Sequence, residues 1–207
     1  MSLSLKQYRN IDLGIMFFIL AAVEAVTATA ARVWFPYEAY VLSPTVAMVC
    51  IVMMRWGGWA AVQAVGGGLA LCIASGASLK QFAVYSVGNC LALAAMALFR
   101  VFGKEKIRSS AGLTLTFTVT AYAAAQIGRW LIGLTLGGSA GDIVKLLTTD
   151  SLSLIFAVVT LQLARRLDGL FEDQVAYIRR TQAQARREQF SDDGDLGYGE
   201  TLGGYEI

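Results

Sequence analysis

Six stretches of mostly apolar residues follow one another along the chain, each separated from the next by a short polar or glycine-bearing joint. They run from about Ile11 to Val33, Ala39 to Met54, Gly57 to Ser75, Gln81 to Val101, Leu113 to Leu136 and Ile143 to Ala164. A hydrocarbon core about 30 Å thick takes roughly 20 helical residues to cross. The pattern therefore predicts an all-α membrane protein, a six-transmembrane-helix bundle. The joint between the second and third stretches is only Arg55, Trp56, Gly57 and Gly58, which predicts a tight turn. Beyond Arg166 the composition changes. Residues 167–190 read as a charged cytoplasmic helix with Leu170, Phe171, Val175 and Ile178 near helical spacing. Residues 191–207 are acidic and rich in glycine, which predicts a disordered tail. The expected organisation is a membrane domain over 1–166, that helix, and that tail.

Basic residues set an expected orientation, because cytoplasmic loops carry the excess of Lys and Arg. Nine of them (Lys6, Arg9, Arg55, Arg100, Lys104, Lys106, Arg108, Arg165 and Arg166) fall on one side of a six-span topology, against three (Arg32, Lys80 and Lys145) on the other. Both termini are thereby expected in the cytoplasm. The outer loops are expected around Trp34–Tyr40, Ser75–Lys80 and Gly137–Asp142. Arg179, Arg180, Arg186 and Arg187 would face anionic lipid or a partner on the inner side. The expected location is the cell membrane of a bacterium or archaeon.

Composition narrows the function classes. Of 207 residues 56% are hydrophobic and 15% charged, against about 25% charged in a soluble domain. The net charge of +2 gives no case for a nucleic-acid partner. There is no histidine, which removes His-based metal sites and Ser-His or Cys-His catalysis. The three cysteines, Cys50, Cys72 and Cys90, stand in different apolar stretches without CxxC spacing and read as packing residues. No phosphate-cradling glycine–lysine loop and no acidic pair at metal-ligand spacing is present. No catalytic residue, metal or cofactor is expected, and the chain does not read as an enzyme.

Ionisable groups inside a bilayer cost several kcal/mol and usually face a polar cavity or one another. At 1.5 Å per helical residue, Glu24, Tyr85, Asn89, Gln126, Arg129 and Asp150 all fall in the outer half of their spans, while Gln63 lies in the inner half. Aromatic rings of Trp34, Phe35, Tyr37, Tyr40 and Trp130 fall at the same outer level, as an interfacial belt would. Glu24, Tyr85, Asn89, Gln126, Arg129, Trp130 and Asp150 are the candidate substrate-binding residues. Two readings stay open for the charged ones: a pocket beneath the outer loops, or an ion-pair network that only fixes helix packing. Ala21, Ala25 and Thr29 form a small-residue stripe on the first stretch, and the third is dense in glycine and alanine. Both features suit close helix approach.

Six short spans with both ends inside, an AxxxA stripe at Ala21 and Ala25, and the run AYVLSPTVAMVCIVMMRWGGWAAVQAVGGGLALC over Ala39–Cys72 resemble the substrate-binding S components of energy-coupling factor vitamin transporters. Gly57-Gly58 stands where such proteins often have Gly-Pro, and the charged C-terminal extension is additional. The resemblance implies capture of a small water-soluble vitamin or precursor near the outer face. A transmembrane scaffold subunit, contacted through Ala21 and Ala25, and two ATPase subunits would supply the energy. The Met-His start of the metal-transporting members is absent, so the resemblance does not extend to a metal-ion cargo. Two other classes compete: a sensory or scaffolding membrane domain, and an accessory subunit of a larger membrane complex docking through its tail. Both predict no pocket beneath the outer loops.

Overall fold

The computed structural model describes residues 4–34, 41–167 and 169–184, and these contain helices and turns but no strand. Nine helices follow in order up to Ala164: α1 Leu5–Trp34, α2 Thr45–Trp56, α3 Ala61–Ser75, α4 Leu79–Gly88, α5 Ala97–Phe102, α6 Lys104–Ser109, α7 Ala111–Thr135, α8 Asp142–Thr149 and α9 Ser151–Ala164, with residues 174–184 helical beyond them. Tighter 3-10 turns over Gly57–Ala60 and Asn89–Met96 join α2 to α3 and α4 to α5. Three helical runs are long and apolar enough to cross a membrane: Leu5–Trp34, Thr45–Ser75 and Leu79–Phe102. The pair α8 and α9, bent by 48° at Asp150, makes a fourth when taken as one span. α7 has the length, at 25 residues, but Thr114, Thr116, Thr118, Thr120, Gln126 and Arg129 dilute its apolar character.

The run from Thr45 to Ser75 is a hairpin, not a rod. Gly57 sits at φ 60°, ψ −126°, where a side chain would be strained, and ends α2. α3 then returns far enough that a Cβ on Gly67 would overlap the Thr45 side chain and come within 3.0 Å of Leu20. Neighbouring pairs fix the remaining directions. Asp12 reaches Arg55 while Glu24 reaches Thr45, so α1 and α2 are antiparallel. Gly68 lies against the backbone of Tyr85 and Asn89 reaches the Ala64 carbonyl, so α3 and α4 are antiparallel. Phe99 stacks on Phe117 with centroids 5.1 Å apart while Gly88 meets Arg129. Gln162 reaches the Ala111 carbonyl while Asp150 reaches Arg129. Direction therefore alternates through α1, α2, α3, α4–α5, α7 and α8–α9. The near end, where α1 begins and α9 finishes, carries Asp12, Arg55, Ser109 and Arg165. The far end carries Trp34, Gly76 and the turn over Gly137–Gly141.

Glycine sets the closest approaches. Gly66, Gly67 and Gly68 face Phe17, Thr45 and the Tyr85–Ser86 backbone in turn, so one triplet of α3 serves α1, α2 and α4. α4 crosses α7 at Gly88 and Gly128, where a Cβ on Gly88 would stand 2.6 Å from the Arg129 backbone. Small residues permit such distances, and dispersion and polar contacts then hold the helices where lipid supplies no hydrophobic drive. α1 buries only Leu13, Leu20, Glu24 and Ala28, and leaves Phe18 75%, Val26 68% and Val33 68% exposed.

The boundaries differ from the sequence expectation in three places. α1 starts a turn and a half earlier, at Leu5. α2 starts behind Pro44, five residues after Ala39, because proline fits the start of a helix and not its interior. The C-terminal helix does not begin at Leu167: α9 ends at Ala164, and helix resumes only at residue 174. Arg55 Nη1 binds the Gly169 carbonyl at 2.7 Å and lies 3.3 Å from that of Leu170, and Asp173 Oδ1 accepts the amides of Val175 and Ala176 as a cap. The chain divides into two compact units at Glu172 and Asp173. The second unit contains the helical residues 174–184. The expected aromatic loop over 35–40, the end of the charged helix and the tail over 191–207 lie outside the described residues.

Candidate functional site

A charge in the middle of an apolar helix has to find its partner on another helix, and Arg129 of α7 does so. Six residues before α7 ends at Thr135, it is 1% exposed. Its Nη1 donates to Asp150 Oδ2, in an ion pair, and lies 3.5 Å from Gln126 Oε1. Its Nε donates to Asn89 Oδ1 at 2.7 Å, and its guanidinium carbon stands 4.8 Å from the centroid of the Tyr85 ring. Asp150 occupies the bend between α8 and α9, which turns its carboxylate inward. There Oδ2 also accepts from Gln126 Nε2, and Oδ1 accepts from Ser153 Oγ. Four of the candidate residues, with Tyr85 beneath them, thus form one buried cluster.

Glu24 of α1 belongs to an adjoining cluster. It is fully buried, and its Oε1 accepts from Ser43 Oγ and Thr45 Oγ1, each at 2.5 Å. The Ser43 amide donates to Ser153 Oγ at 2.8 Å, which joins this cluster to Asp150. Asn89 Nδ2 donates to the Ala64 carbonyl at 3.3 Å and so adds α3. One polar chain therefore touches α1, the entry to α2, α3, the α4–α5 segment, α7 and α9. Glu24 and Arg129 are close enough to interact electrostatically, although no hydrogen bond joins them directly.

A cavity of about 520 Å³ opens beside this cluster, between α4, α7 and α8 at the far end. Arg129, Tyr85 and Trp130 line it, with Val41, Val84, Leu134 and Leu146 as apolar wall and Gln81, Asp142 and Lys145 among the polar groups. Arg129 Nη2 and Trp130 Nε1 are buried N–H donors with no protein partner. Buried polar groups nearly always have partners, and these two belong to residues of the cavity lining, while Glu24 Oε2, Gln63 Oε1 and Ser86 Oγ are buried without a partner elsewhere. Gln126, Asn89, Asp150 and Glu24 do not line the cavity. They stand behind it, and the first three hold Arg129.

Sequence reasoning missed several participants. Ser43, Thr45 and Ser153 supply three of the five side-chain hydrogen bonds to the two carboxylates, but single hydroxyl residues in apolar stretches carry no distinguishing signal. At the near end Asp12 accepts from Arg55 Nε at 3.0 Å, Arg55 Nη2 at 2.9 Å and Trp56 Nε1 at 2.6 Å. It stands one residue into the first apolar stretch, where a carboxylate carries no signal that sets it apart from a span-end charge. Gln63, singled out as the inner-half polar residue, donates to the Leu13 carbonyl at 2.9 Å and ties α3 to α1. Of the stripe on α1, Ala21 is half-buried and Ala25 exposed. Ala25 lines a shallow apolar groove with Val26, Thr29, Ala30, Val33 and Trp34. Cys50, Cys72 and Cys90 are free thiols, the first two buried. Among the described residues no group of three or more acidic or thiol side chains is placed to hold a metal ion.

Comparison with known proteins adds no assignment. The chain matches no protein family, no curated protein and no solved structure.

Proposed function

We propose that the chain is a six-crossing membrane protein that captures a small water-soluble molecule in the far-end cavity and passes it inward with the help of partner subunits. The observation that carries this reading is the incompletely satisfied polar wall. A network kept only for packing does best with every member paired, since a buried donor without a partner costs about 1–3 kcal/mol. Here Asn89, Gln126 and Asp150 hold Arg129 from behind the cavity, and Arg129 and Trp130, each with an unpaired buried N–H, belong to its lining, while Glu24 Oε2 behind it is unpaired as well. A volume near 520 Å³ falls within the roughly 300–1,000 Å³ typical of small-molecule sites.

Six crossings follow in this reading from the alternating helix directions. The hairpin of α2 and α3 provides two short ones, and α7 and the bent α8–α9 pair provide the last two. Lys and Arg crowd the near end, which supports a cytoplasmic near end, with both termini there and the cavity on the outer side. The resemblance to S components of energy-coupling factor transporters supplies the division of labour. A scaffold would engage the α1 face at Ala21 and Ala25, and two ATPases would drive release.

The test is to purify the full chain from membranes of its source, identify any small molecule that comes with it by mass spectrometry, and measure rebinding. Arg129→Ala and Asp150→Ala are expected to abolish rebinding. Ala21→Leu or Ala25→Leu is expected to prevent assembly with a scaffold and leave ligand binding intact. Retention of no molecule, together with no response of the purified protein to a vitamin panel, would refute the capture reading.

A further inference from the structure

Independently of the capture reading, we infer that the near end carries a binding surface for the headgroups of anionic phospholipids, at the corner where α5, α6, the start of α7 and the end of α9 meet. Gly103, at φ 79°, turns the chain out of α5 and into the short α6. Ile107 of α6 is fully buried, and its carbonyl accepts from Thr114 Oγ1 at 2.6 Å, which fixes α6 against the foot of α7. The Lys104 ammonium stands 5.6 Å from the centroid of the Phe99 ring and ties the same turn to α5. From α9, Gln162 Nε2 donates to the Ala111 carbonyl at 2.9 Å and Arg165 Nη1 to that of Ser109 at 3.3 Å. These contacts bring Arg100, Lys104, Lys106, Arg108, Arg165 and Arg166 to one corner. Over 100–108 and 165–168 the sequence sets these six cations against Glu105 and Asp168.

Arg165 is the brace, since it also takes Gln162 Oε1 at 2.8 Å. The side chains of Arg100, Lys106, Arg108 and Arg166 make no hydrogen bond or ion pair among the described residues. All four are exposed except Arg108, which is half-buried. Like charges gathered in this way repel one another, so a bound anion relieves them. The apolar neighbours decide which anion. Val101 and Phe102 at the end of α5, and Leu163 and Leu167 at the end of α9, are exposed beside the cations. A free phosphate or an acidic peptide would meet the charges and leave those side chains in water. A phospholipid meets both, with its phosphate at the cations and its acyl chains along the apolar side chains. The helical runs Leu5–Trp34, Thr45–Ser75 and Leu79–Phe102 are long and apolar enough to cross the bilayer that would supply it. At the far end Arg32, Lys80 and Lys145 stand one to a helix, on α1, α4 and α8, and form no such group.

The test places the full chain in nanodiscs of phosphatidylcholine alone and of equal parts phosphatidylcholine and phosphatidylglycerol. Native mass spectrometry reads the lipid retained by the protein, and thermal unfolding reads its effect. Phosphatidylglycerol is expected to be retained about tenfold over phosphatidylcholine and to raise the unfolding temperature, an advantage that shrinks as salt screens it. Combining Arg100→Gln, Lys106→Gln, Arg108→Gln and Arg166→Gln is expected to abolish the preference and leave the unfolding temperature in phosphatidylcholine unchanged. The charge-keeping set Arg100→Lys, Arg108→Lys and Arg166→Lys is expected to retain it, as is the far-end pair Arg32→Gln and Lys80→Gln. Equal retention of the two lipids would overturn the inference, and so would a far-end pair that loses the preference as fully as the fourfold variant. Inorganic phosphate or poly-glutamate, added to the phosphatidylcholine nanodiscs, is expected to give no shift. A shift from either that matches phosphatidylglycerol and vanishes in the fourfold variant would overturn the lipid assignment and give the corner to a soluble anion or an acidic protein. Every one of these outcomes leaves the capture reading at the far end as it stands.

Discussion

Arg129 is held from four directions, by Asp150, Asn89, Gln126 and the Tyr85 ring, and this decides what its removal does. Taking away one member of a buried ion pair strands the other, at a cost of about 3–5 kcal/mol, whereas replacing both by apolar residues of similar volume is often close to neutral. Arg129→Met and Asp150→Leu are each expected to lower stability by that amount, and the double variant to recover most of the loss. Denaturation in micelles measures the cycle, and a double variant as unstable as the sum of the two singles would mean that the pair is not coupled. The same physics explains which site residues could be read from the chain. Glu24, Arg129 and Asp150 were legible because a charge deep in an apolar run needs a reason. Asp12 was not, since a carboxylate at a span end can be solvated, although Arg55 and Trp56 in fact enclose it. Ser43, Thr45 and Ser153 were not legible either. A hydroxyl in a membrane helix usually bonds back to its own turn, as Thr27 and Thr118 do.

At the scale of the element, the glycines of α3 separate close packing from mere flexibility. A Cβ on Gly68 would stand 2.6 Å from the Tyr85 carbonyl, and backbone cannot rotate aside, so Gly68→Ala has to push α3 and α4 apart. A Cβ on Gly14, in the middle of α1, meets nothing within 4 Å. Gly68→Ala is expected to destabilise by about 1–3 kcal/mol and to weaken ligand binding, since Tyr85 lines the cavity. Gly14→Ala is expected to be neutral or to stabilise by about 0.5–1 kcal/mol through helix propensity. Unfolding curves of the two variants side by side decide it, and equal effects would refute the packing role. The turn at Arg55–Gly58 was legible because two adjacent glycines after an arginine break an apolar run. The late start of the C-terminal helix was not. Arg55 takes the Gly169 carbonyl from more than a hundred residues away, and no local pattern announces such a capture. The start of α2 could have been read from Pro44, had the proline been weighed above the continuous apolar run.

For the whole molecule, the alternation of helix direction makes a claim that labelling can check. The 25-residue α7 is about 37 Å long at 1.5 Å per residue, enough to cross a core of about 30 Å despite its threonines. If α7 crosses, the turns at its two ends, Ser109–Ser110 and Gly137–Gly141, face opposite sides of the membrane. With α2 and α3 counted as two crossings, Lys106 falls on the cytoplasmic side and Ser139 outside. The same bundle inserted the other way up would move Lys106 outside and Ser139 inside. In whole cells, Ser139→Cys is therefore expected to react with a membrane-impermeant maleimide and Lys106→Cys only after the membrane is opened. The native thiols interfere little, because Cys50 and Cys72 are buried and Cys90 is half-buried. The inverse labelling pattern would put the near end outside and the cavity on the cytoplasmic side, where capture from outside is no longer a workable function. The expected pattern leaves Phe18, Val26 and Val33 of α1 facing lipid or a partner through the depth of the bilayer. Such an exposed apolar face suits contact with lipid or with an apolar surface.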